Sequence, residues 1–266
     1  MNFINSIGNK AKTTLLQSIA SLLEKDPQNN VAKIIKLSKL LASDKESIQM
    51  INSFESSYNE IPDFKLYIDD LLTTTDHKIM NNFIVNILGN NLNHNDKHSR
   101  SPAKKSSAPR SLVINAHSDC LTNKTLSSND FDKIIAESRK MGVFTFIIYG
   151  CDSKALNYLY DVYKKYSDSL FIPVSEECIL NENSCHKILE CGNVIPLFQQ
   201  KNINTDLLRK NGIPSFNINY LQNLFKKSKF NNNLSGLKTF SLEFNGISQK
   251  KLMTYSISDL IKTNNI

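Results

Sequence analysis

The apolar residues of the first ninety positions recur at helical spacing. Between residues 12 and 26, five of them share one face of a helix: Leu15, Leu16, Ile19, Leu22 and Leu23. Similar patterns continue to residue 90. Ser43 with Glu46 three residues later has the form of a capping box, and Pro62 suits a first helical turn. The pattern predicts four or five short helices that form a helical module over residues 1–90.

Beyond position 110 the pattern becomes strand-like. Short runs of branched and aromatic residues occupy four segments, namely 111–117, 143–150, 169–175 and 194–198. Helical patterns separate these runs, and strands that alternate with helices in this way predict β-α-β units and a parallel sheet. Four apolar residues are expected on the inner face of that sheet: Val113, Phe146, Ile148 and Ile172.

The last fifty residues are predicted to complete the sheet only in part. Segment 214–230 has a helical pattern, 237–245 is predicted as the fifth strand, and 256–265 as a short final helix. No sixth strand is predicted, so we expect an open sheet edge. Either the final helix or a partner would cover it, because unpaired edges and exposed apolar faces are normally covered.

Segment 91–110 separates the two patterns and is predicted to be a basic linker. Five basic residues stand there against Asp96, which accounts for +4 of the formal net charge of +7: Lys97, Arg100, Lys104, Lys105 and Arg110. The segment lacks the interleaved aromatic residues that stack on bases. We expect a solvated linker and, as the alternative, a weak contact with an anionic partner through counterion release. Residues 111–266 then form the α/β part.

The composition is that of a packed protein outside the membrane. Hydrophobic residues make up 40% of the chain, which is enough for a core, and no run approaches the roughly 20 apolar residues of a membrane span. The first residues lack a signal-peptide pattern, so a cytoplasmic location is expected. The five cysteines are odd in number, which favours reduced thiols over a disulfide framework.

Polar residues at the carboxyl ends of the predicted strands are the candidates for chemistry, because ligands bind at that edge of parallel sheets. They form one candidate pocket: Cys120, Tyr149, Gly150, Cys151, Asp152, Ser175, Glu176 and Glu177. A nucleophilic pair of Cys120 with His117 is an alternative that needs a bent loop, since residues three apart on a strand point to opposite faces.

A zinc site is a second alternative within the α/β part. The residue types of such a site occur close together in the sequence: Cys178, Cys185, His186 and Cys191. Cys185 lies on one helical stripe with Ile188 and Leu189, which favours buried core cysteines instead. No metal site is therefore predicted.

Several phrases of the chain resemble one subgroup of radical S-adenosylmethionine enzymes that has an N-terminal helical region. The phrases are "NAHSDC", "LSSNDFDKIIAESRKMGVFTFIIYG" and "CILNENSCHKILECGNVIPLF", and the resemblance covers about residues 31–245. It implies a partial (βα) barrel of about five parallel strands behind the helical module. It also implies a [4Fe-4S] cluster and S-adenosylmethionine as cofactors.

This sequence departs from the similar family where the cofactors would bind. The family holds its cluster with three cysteines in the pattern Cys-x3-Cys-x2-Cys. Here Cys120 matches the first cysteine, and counting on by the family's spacing gives Lys124 and Ser127. The loop is also about ten residues shorter than that of the similar family, so the resemblance implies that the other two ligands are deleted. Of the family's Gly-Gly-Glu-Pro phrase, Gly150 is kept and Cys151 replaces the second glycine. We therefore expect neither cofactor to bind, because one thiolate cannot hold a cubane cluster.

Two functions from different classes follow from these departures. The first is a catalytically degenerate protein that acts as a binding or regulatory partner of another protein or of a second copy. The second is an enzyme of another class that uses the cysteine and carboxylate groups of the candidate pocket on a small molecule. A remnant of a radical enzyme without a present role is a third possibility.

Overall fold

The computed structural model describes residues 9–42, 45–84, 86, 88–89, 111–115, 127–149, 153–175, 180–198 and 203–217. The helices in these ranges are α1 (Asn9–Lys25), α2 (Pro27–Leu41), α3 (Lys45–Glu60), α4 (Pro62–Thr74), α5 (His77–Ile84), α6 (Ser128–Lys140), α7 (Ser153–Lys165), α8 (Glu182–Cys191) and α9 (Ile203–Lys210). The strands are β1 (Ser111–Asn115), β2 (Thr145–Tyr149), β3 (Leu170–Ser175), β4 (Leu197–Phe198) and β5 (Phe216–Asn217).

Helices α1 to α5 confirm the helical pattern of the first ninety residues. Asp26 caps α2 by accepting a hydrogen bond of 3.3 Å from the N–H of Asn29, and Pro27 begins that helix. Pro62 occupies the first turn of α4, as expected. Their shared core contains the buried apolar residues Ile19, Leu23, Val31, Ile35, Ile51 and Phe64. Ser43, which would cap the helix in the predicted capping box with Glu46, lies outside the described residues. Among the described helices, none is long and apolar enough to cross a membrane.

The strands form one parallel sheet in the order β1-β2-β3-β4-β5. Each strand lies beside the next one in the chain, with a helix between them from β1 onward. This arrangement confirms the predicted α/β architecture with a parallel sheet. Strand β2 is shorter than its predicted segment at both ends, and β3 and β4 begin one and three residues later than predicted, as is usual for boundaries read from sequence.

One face of the sheet is covered by helices. Phe146 and Phe171 stack with their ring centroids 5.4 Å apart, and the ring of Tyr163 from α7 lies 4.5 Å from that of Phe171. The side chains on this face are buried: Leu112, Ile114, Phe146, Ile148 and Phe171. Burial of these large apolar groups against α6, α7 and α8 supplies the main core of the α/β part.

The predicted inner face is wrong for two of its four residues. The register pairs Val113 with Ile147 and Ile147 with Ile172, so these three share a face. Phe146 and Ile148 are fully buried on the opposite, helix-covered face. The error is one of parity, because moving a strand position by one residue transfers its side chain to the other face.

Two elements near residue 210 also differ from the sequence prediction. Phe216 and Asn217 form β5, paired with Leu197 and Phe198, where a helix over 214–230 was predicted. Helix α9 before it was not predicted at all. Pairing with β4 decides the conformation of residues 216–217, since strand formation depends strongly on tertiary context. The predicted strand 237–245 and the final helix 256–265 lie outside the described residues.

Helices α4 and α5 contact the α/β part. The Nζ of Lys78 donates to the carbonyl oxygen of Glu190 at 2.5 Å, and Asn82 donates to that of Gly192 at 2.8 Å. Ile79 is 1% exposed and belongs to the core of the sheet rather than to that of the helices. Residues 190–192 end α8 on the approach to β4, so α5 lies at the N-terminal end of the strands, opposite their carboxyl ends.

A second contact joins the same helices to α9. The N–H of Asp76 donates to the carbonyl oxygen of Gly212 at 2.7 Å, and Arg209 forms an ion pair with Asp70. Gly212 has a φ of 73°, and a Cβ there would approach the backbone nitrogen of Asp76 to 3.2 Å. Glycine is therefore required at this turn both for its conformation and for the close approach.

Candidate functional site

The carboxyl ends of the described strands meet at one edge of the sheet. These strand ends are Asn115, Tyr149, Ser175, Phe198 and Asn217. The register places Asn115 beside Tyr149 and Tyr149 beside Val174, so the first three strands end at nearly the same level. This is the edge at which parallel α/β folds usually bind their ligands.

Two residues of the predicted pocket are within the described chain. Tyr149 ends β2, and Ser175 ends β3 one residue beyond the partner of Tyr149. Both therefore stand at the carboxyl edge on adjacent strands. The other six predicted pocket residues lie outside the described residues: Cys120, Gly150, Cys151, Asp152, Glu176 and Glu177. His117 and Cys178 also lie outside them.

Tyr149 is an exposed aromatic residue on the face of the sheet opposite α7. It is 41% exposed, whereas most large apolar residues of the sheet are buried. It shares its face with Ile147, two residues earlier, and Ile147 lies between Val113 and Ile172, all three of them only partly buried. Val174 lies beside Tyr149 in the register and is 2% exposed, so the ring of Tyr149 stands next to a buried neighbour at the carboxyl end of this face.

The start of α6 holds the residue at the third cysteine position of the similar family. Ser127 is the N-cap of this helix, and its hydroxyl accepts a hydrogen bond of 3.2 Å from the N–H of Asp130. The carboxylate of Asp130 accepts in return from the N–H of Ser127 at 2.9 Å and from its hydroxyl at 2.7 Å. This reciprocal arrangement is a complete capping box, which satisfies helix N–H groups that otherwise lack partners.

The two cysteines of α8 are core residues. Cys185 is fully buried and Cys191 is 3% exposed, which confirms the prediction from their helical stripe. Burial raises the pKa of the Cys185 thiol and raises the pKa of Cys191 to about 11. A thiol with a raised pKa is a poor nucleophile and a poor metal ligand, because both roles require the thiolate. His186 is exposed and contacts Glu190, not these thiols.

The charged groups of α6, α7 and α8 join these helices to one another. Lys165 contacts Asp132 at 2.6 Å, and the hydroxyl of Tyr166 donates to the same carboxylate at 2.9 Å. The hydrogen bond from Lys165 lowers the pKa of Asp132. Glu190 similarly pairs with Lys164. Within the described ranges, no three His, Cys, Asp or Glu residues are arranged to hold a metal ion.

The residues at the cluster positions do not fit an iron–sulfur cluster. A [4Fe-4S] cubane needs thiolates on three of its irons when the fourth binds another ligand. Cys120 supplies one, Lys124 supplies a cationic amine, and the hydroxyl of Ser127 is engaged in the cap of α6. The donor set is thus one thiolate, which is too few for the cluster.

The roles of Ser127 and Asp130 were missed in the sequence, although a signal was present. The phrase "SSNDF" places Asp130 three residues after Ser127 and just before the apolar positions of α6. That spacing is the form of a capping box, with Asp in place of the more frequent Glu.

No protein-family model and no curated protein matches this sequence. Among solved structures, the chain is similar to the crystal structure of Streptococcus suis SuiB, with 13% identity and a TM-score of 0.29, over 75% of this chain and 46% of that one. It is also similar to SuiB bound to S-adenosylmethionine, with 12% identity and a TM-score of 0.26, over 88% of this chain and 55% of that one. The chain spans about half the length of these structures.

Proposed function

We propose that this protein is a catalytically degenerate relative of the radical S-adenosylmethionine enzymes that acts as a binding or regulatory partner. The observation that carries the proposal is the donor set at the cluster positions. Cys120 stands alone as a thiolate, and Ser127 serves as the N-cap of α6 instead of as a ligand. Without three thiolates the cluster that starts radical chemistry cannot be held.

The described sheet supports a partial barrel as the fold behind this proposal. Its five strands are parallel and follow one another in chain order, with a helix between successive strands. The predicted strand 237–245 lies outside the described residues, and the open sheet edge stays a prediction.

The face that carries Tyr149 supports a binding role. Val113, Ile147 and Ile172 are only partly buried, and Tyr149 is exposed at the carboxyl edge of the same face, beside the buried Val174. Aromatic residues with an apolar ring and a polar hydroxyl are frequent at protein contacts. A protein partner or a second copy of the chain would bury this patch, and the favourable term would be removal of apolar surface from water.

Anaerobic reconstitution with iron and sulfide tests the first half of the proposal. We expect the purified wild-type chain to retain well under one iron per chain after desalting and to lack a broad visible absorption band. About four irons per chain, with a band that the Cys120→Ala variant abolishes, would mean that the protein binds a cubane cluster and that the proposal is wrong.

Sedimentation velocity with an apolar dye tests the second half. We expect concentration-dependent association or dye binding in the wild-type chain, and a loss of both in Tyr149→Ser. Leu66→Ser is the matched control, because Leu66 is an apolar residue of α4 with 68% exposure and lies away from the sheet. If the wild type and both variants sediment as monomers and bind no dye, the binding role loses its physical support.

A further inference from the structure

The turn that follows α9 consists of Asn211 and Gly212, a dipeptide with a reactivity of its own. In an Asn-Gly pair the backbone nitrogen of the glycine attacks the side-chain amide carbon of the asparagine, because glycine has no side chain to hinder the approach. Ammonia leaves, a cyclic succinimide forms, and water opens that ring to aspartate or isoaspartate. We infer that Asn211 is a site of this modification, closed in the folded protein and opened when α4 and α5 separate from α9.

The attacking nitrogen is held by the end of α9. The N–H of Gly212 donates to the carbonyl oxygen of Arg209 at 3.0 Å. The N–H of Ile213 donates to that of Leu208 at 2.9 Å, and the two hydrogen bonds with the positive φ of Gly212 form a Schellman motif. Leu208 and Ile213 are buried in the core of the sheet. The nitrogen must lose its proton and turn toward the side chain, so the attack requires local unfolding of this turn.

The leaving group is held as well. The side-chain nitrogen of Asn211, which departs as ammonia, donates to the carbonyl oxygen of Leu207 at 2.9 Å and to the carboxylate of Glu182 on α8 at 3.2 Å. The aspartate product would place a carboxylate against these two acceptors, and the like charges would repel. The isoaspartate product adds one methylene group to the backbone between positions 211 and 212. Both products therefore fit the folded turn worse than asparagine does.

Helices α4 and α5 close the turn from the other side. The carbonyl oxygen of Gly212 accepts a hydrogen bond of 2.7 Å from the N–H of Asp76, which lies between these two helices. Arg209, whose carbonyl oxygen holds the attacking N–H, forms an ion pair with Asp70 of α4. Opening of the turn is therefore coupled to separation of α4 and α5 from α9. Because the products fit poorly, modification in the open state makes a reversible separation permanent.

Peptide mass spectrometry of the full chain measures conversion of Asn211 in native buffer and in urea at the same pH. Asn245 is the internal reference, because both asparagines stand in the sequence Asn-Gly-Ile and should react at similar rates in urea. We expect Asn211 of the wild type to react at least about tenfold more slowly in native buffer than in urea. Equal rates of Asn211 in the two solutions, or an Asn211 that does not react in urea while Asn245 does, would overturn the inference.

Two variants test whether α4 controls the opening. Asp70→Lys turns the ion pair with Arg209 into a repulsion, and Asp63→Lys, in the first turn of the same helix, is the matched control for the change of charge. Circular dichroism confirms the fold of both. In native buffer we expect Asn211 to react about threefold faster in Asp70→Lys than in Asp63→Lys, the scale of a partly exposed ion pair. Equal rates in these variants would contradict control by α4.

A stability measurement tests the permanence of the change. Asn211→Asp is the aspartate product, and we expect it to unfold at a lower urea concentration than the wild type. Glu182→Gln in the same chain should recover part of that shift, because it removes one of the two repelling groups. An Asn211→Asp variant as stable as the wild type, or one that Glu182→Gln does not improve, would show that the modified turn closes normally.

Discussion

The ammonium group of Lys78 lies 2.5 Å from the carbonyl oxygen of Glu190, so a side chain of α5 completes the last turn of α8. A cation at a helix C-terminus is favourable because the carbonyl groups there lack partners and carry partial negative charge. The stem of the same lysine passes over Gly192, which ends α8 with a φ of 70°. Lys78 thus contacts both the last turn of α8 and the glycine that ends it.

Replacement of Gly192 by alanine is expected to destabilise the protein by about 2 kcal/mol. The left-handed backbone costs an alanine about 1 kcal/mol or more, and the new Cβ would stand 2.7 Å from the Cε of Lys78. Urea unfolding of the single variants and of Gly192→Ala/Lys78→Ala measures the coupling. We expect the double variant to recover the steric part of the loss. Simple additivity would mean that the two residues do not interact.

The thiols of Cys185 and Cys191 are expected to resist alkylation in the folded protein. With a pKa of about 11, Cys191 is a thiolate in roughly one molecule in a thousand at pH 8, and its sulfur is also buried. Iodoacetamide labelling followed by peptide mass spectrometry should find both sites unmodified in buffer and modified in urea. Rapid labelling of either cysteine in the native protein would contradict its place in the core.

Low pH should lower the stability of the folded protein partly through protonation of Asp132. Lys165 and Tyr166 bind its carboxylate and lower its pKa, so this stabilisation is present above the ordinary aspartate value near 3.9 and is lost as the pH falls through the lower folded value. In Asp132→Asn we expect stability lower by about 1 kcal/mol or less at pH 6 and a shallower decline below pH 4. Asp206→Asn, on the surface of α9, is the control for loss of one charge. An unchanged acid profile in Asp132→Asn would argue against the pairing.

Asn193 is expected to be among the most sensitive polar residues of the core. The two N–H groups of its buried side-chain amide are shared among three carbonyl oxygens, each 3.0 Å from the nitrogen: those of Tyr163, Tyr166 and Ser169. Asn193→Ala leaves these buried acceptors without that donor and should cost about 3 kcal/mol. Asn183→Ala, at an exposed position of α8, should change stability by about 0.5 kcal/mol or less. Equal effects of the two substitutions would show that the hydrogen bonds of the Asn193 side chain contribute nothing to the free energy of unfolding.

The class of fold can be predicted from the sequence because its apolar residues are regularly spaced. Apolar residues at helical spacing predict α1 to α5, and short runs of branched and aromatic residues predict β1 to β4. The pattern fails at β5, whose two residues are held by pairing with β4, and at α9, which offers few apolar positions. It also fails for the face of Phe146, because a strand boundary misplaced by one residue reverses every side chain.

The candidate site is predictable only in part for a different reason. Residue types at strand ends identify where Tyr149 and Ser175 lie, and the register brings these two ends together. The function of Ser127 depends on a hydrogen bond to Asp130 and on the start of a helix. Both the hydrogen bond and the start of the helix depend on local geometry, and they cannot be inferred from the absence of two cysteines.

The position of Ile79 has a consequence for how the chain is made. This residue leaves the ribosome early, yet the core that buries it contains β4 and the end of α8, and its neighbour Lys78 finds its partner 112 residues later. At about 5 to 20 residues per second, translation of that interval takes roughly 6 to 22 seconds. During this time the apolar face of α5 is synthesised without the surface that will cover it. Newly made chains should therefore need protection from aggregation until the second half of the protein has emerged.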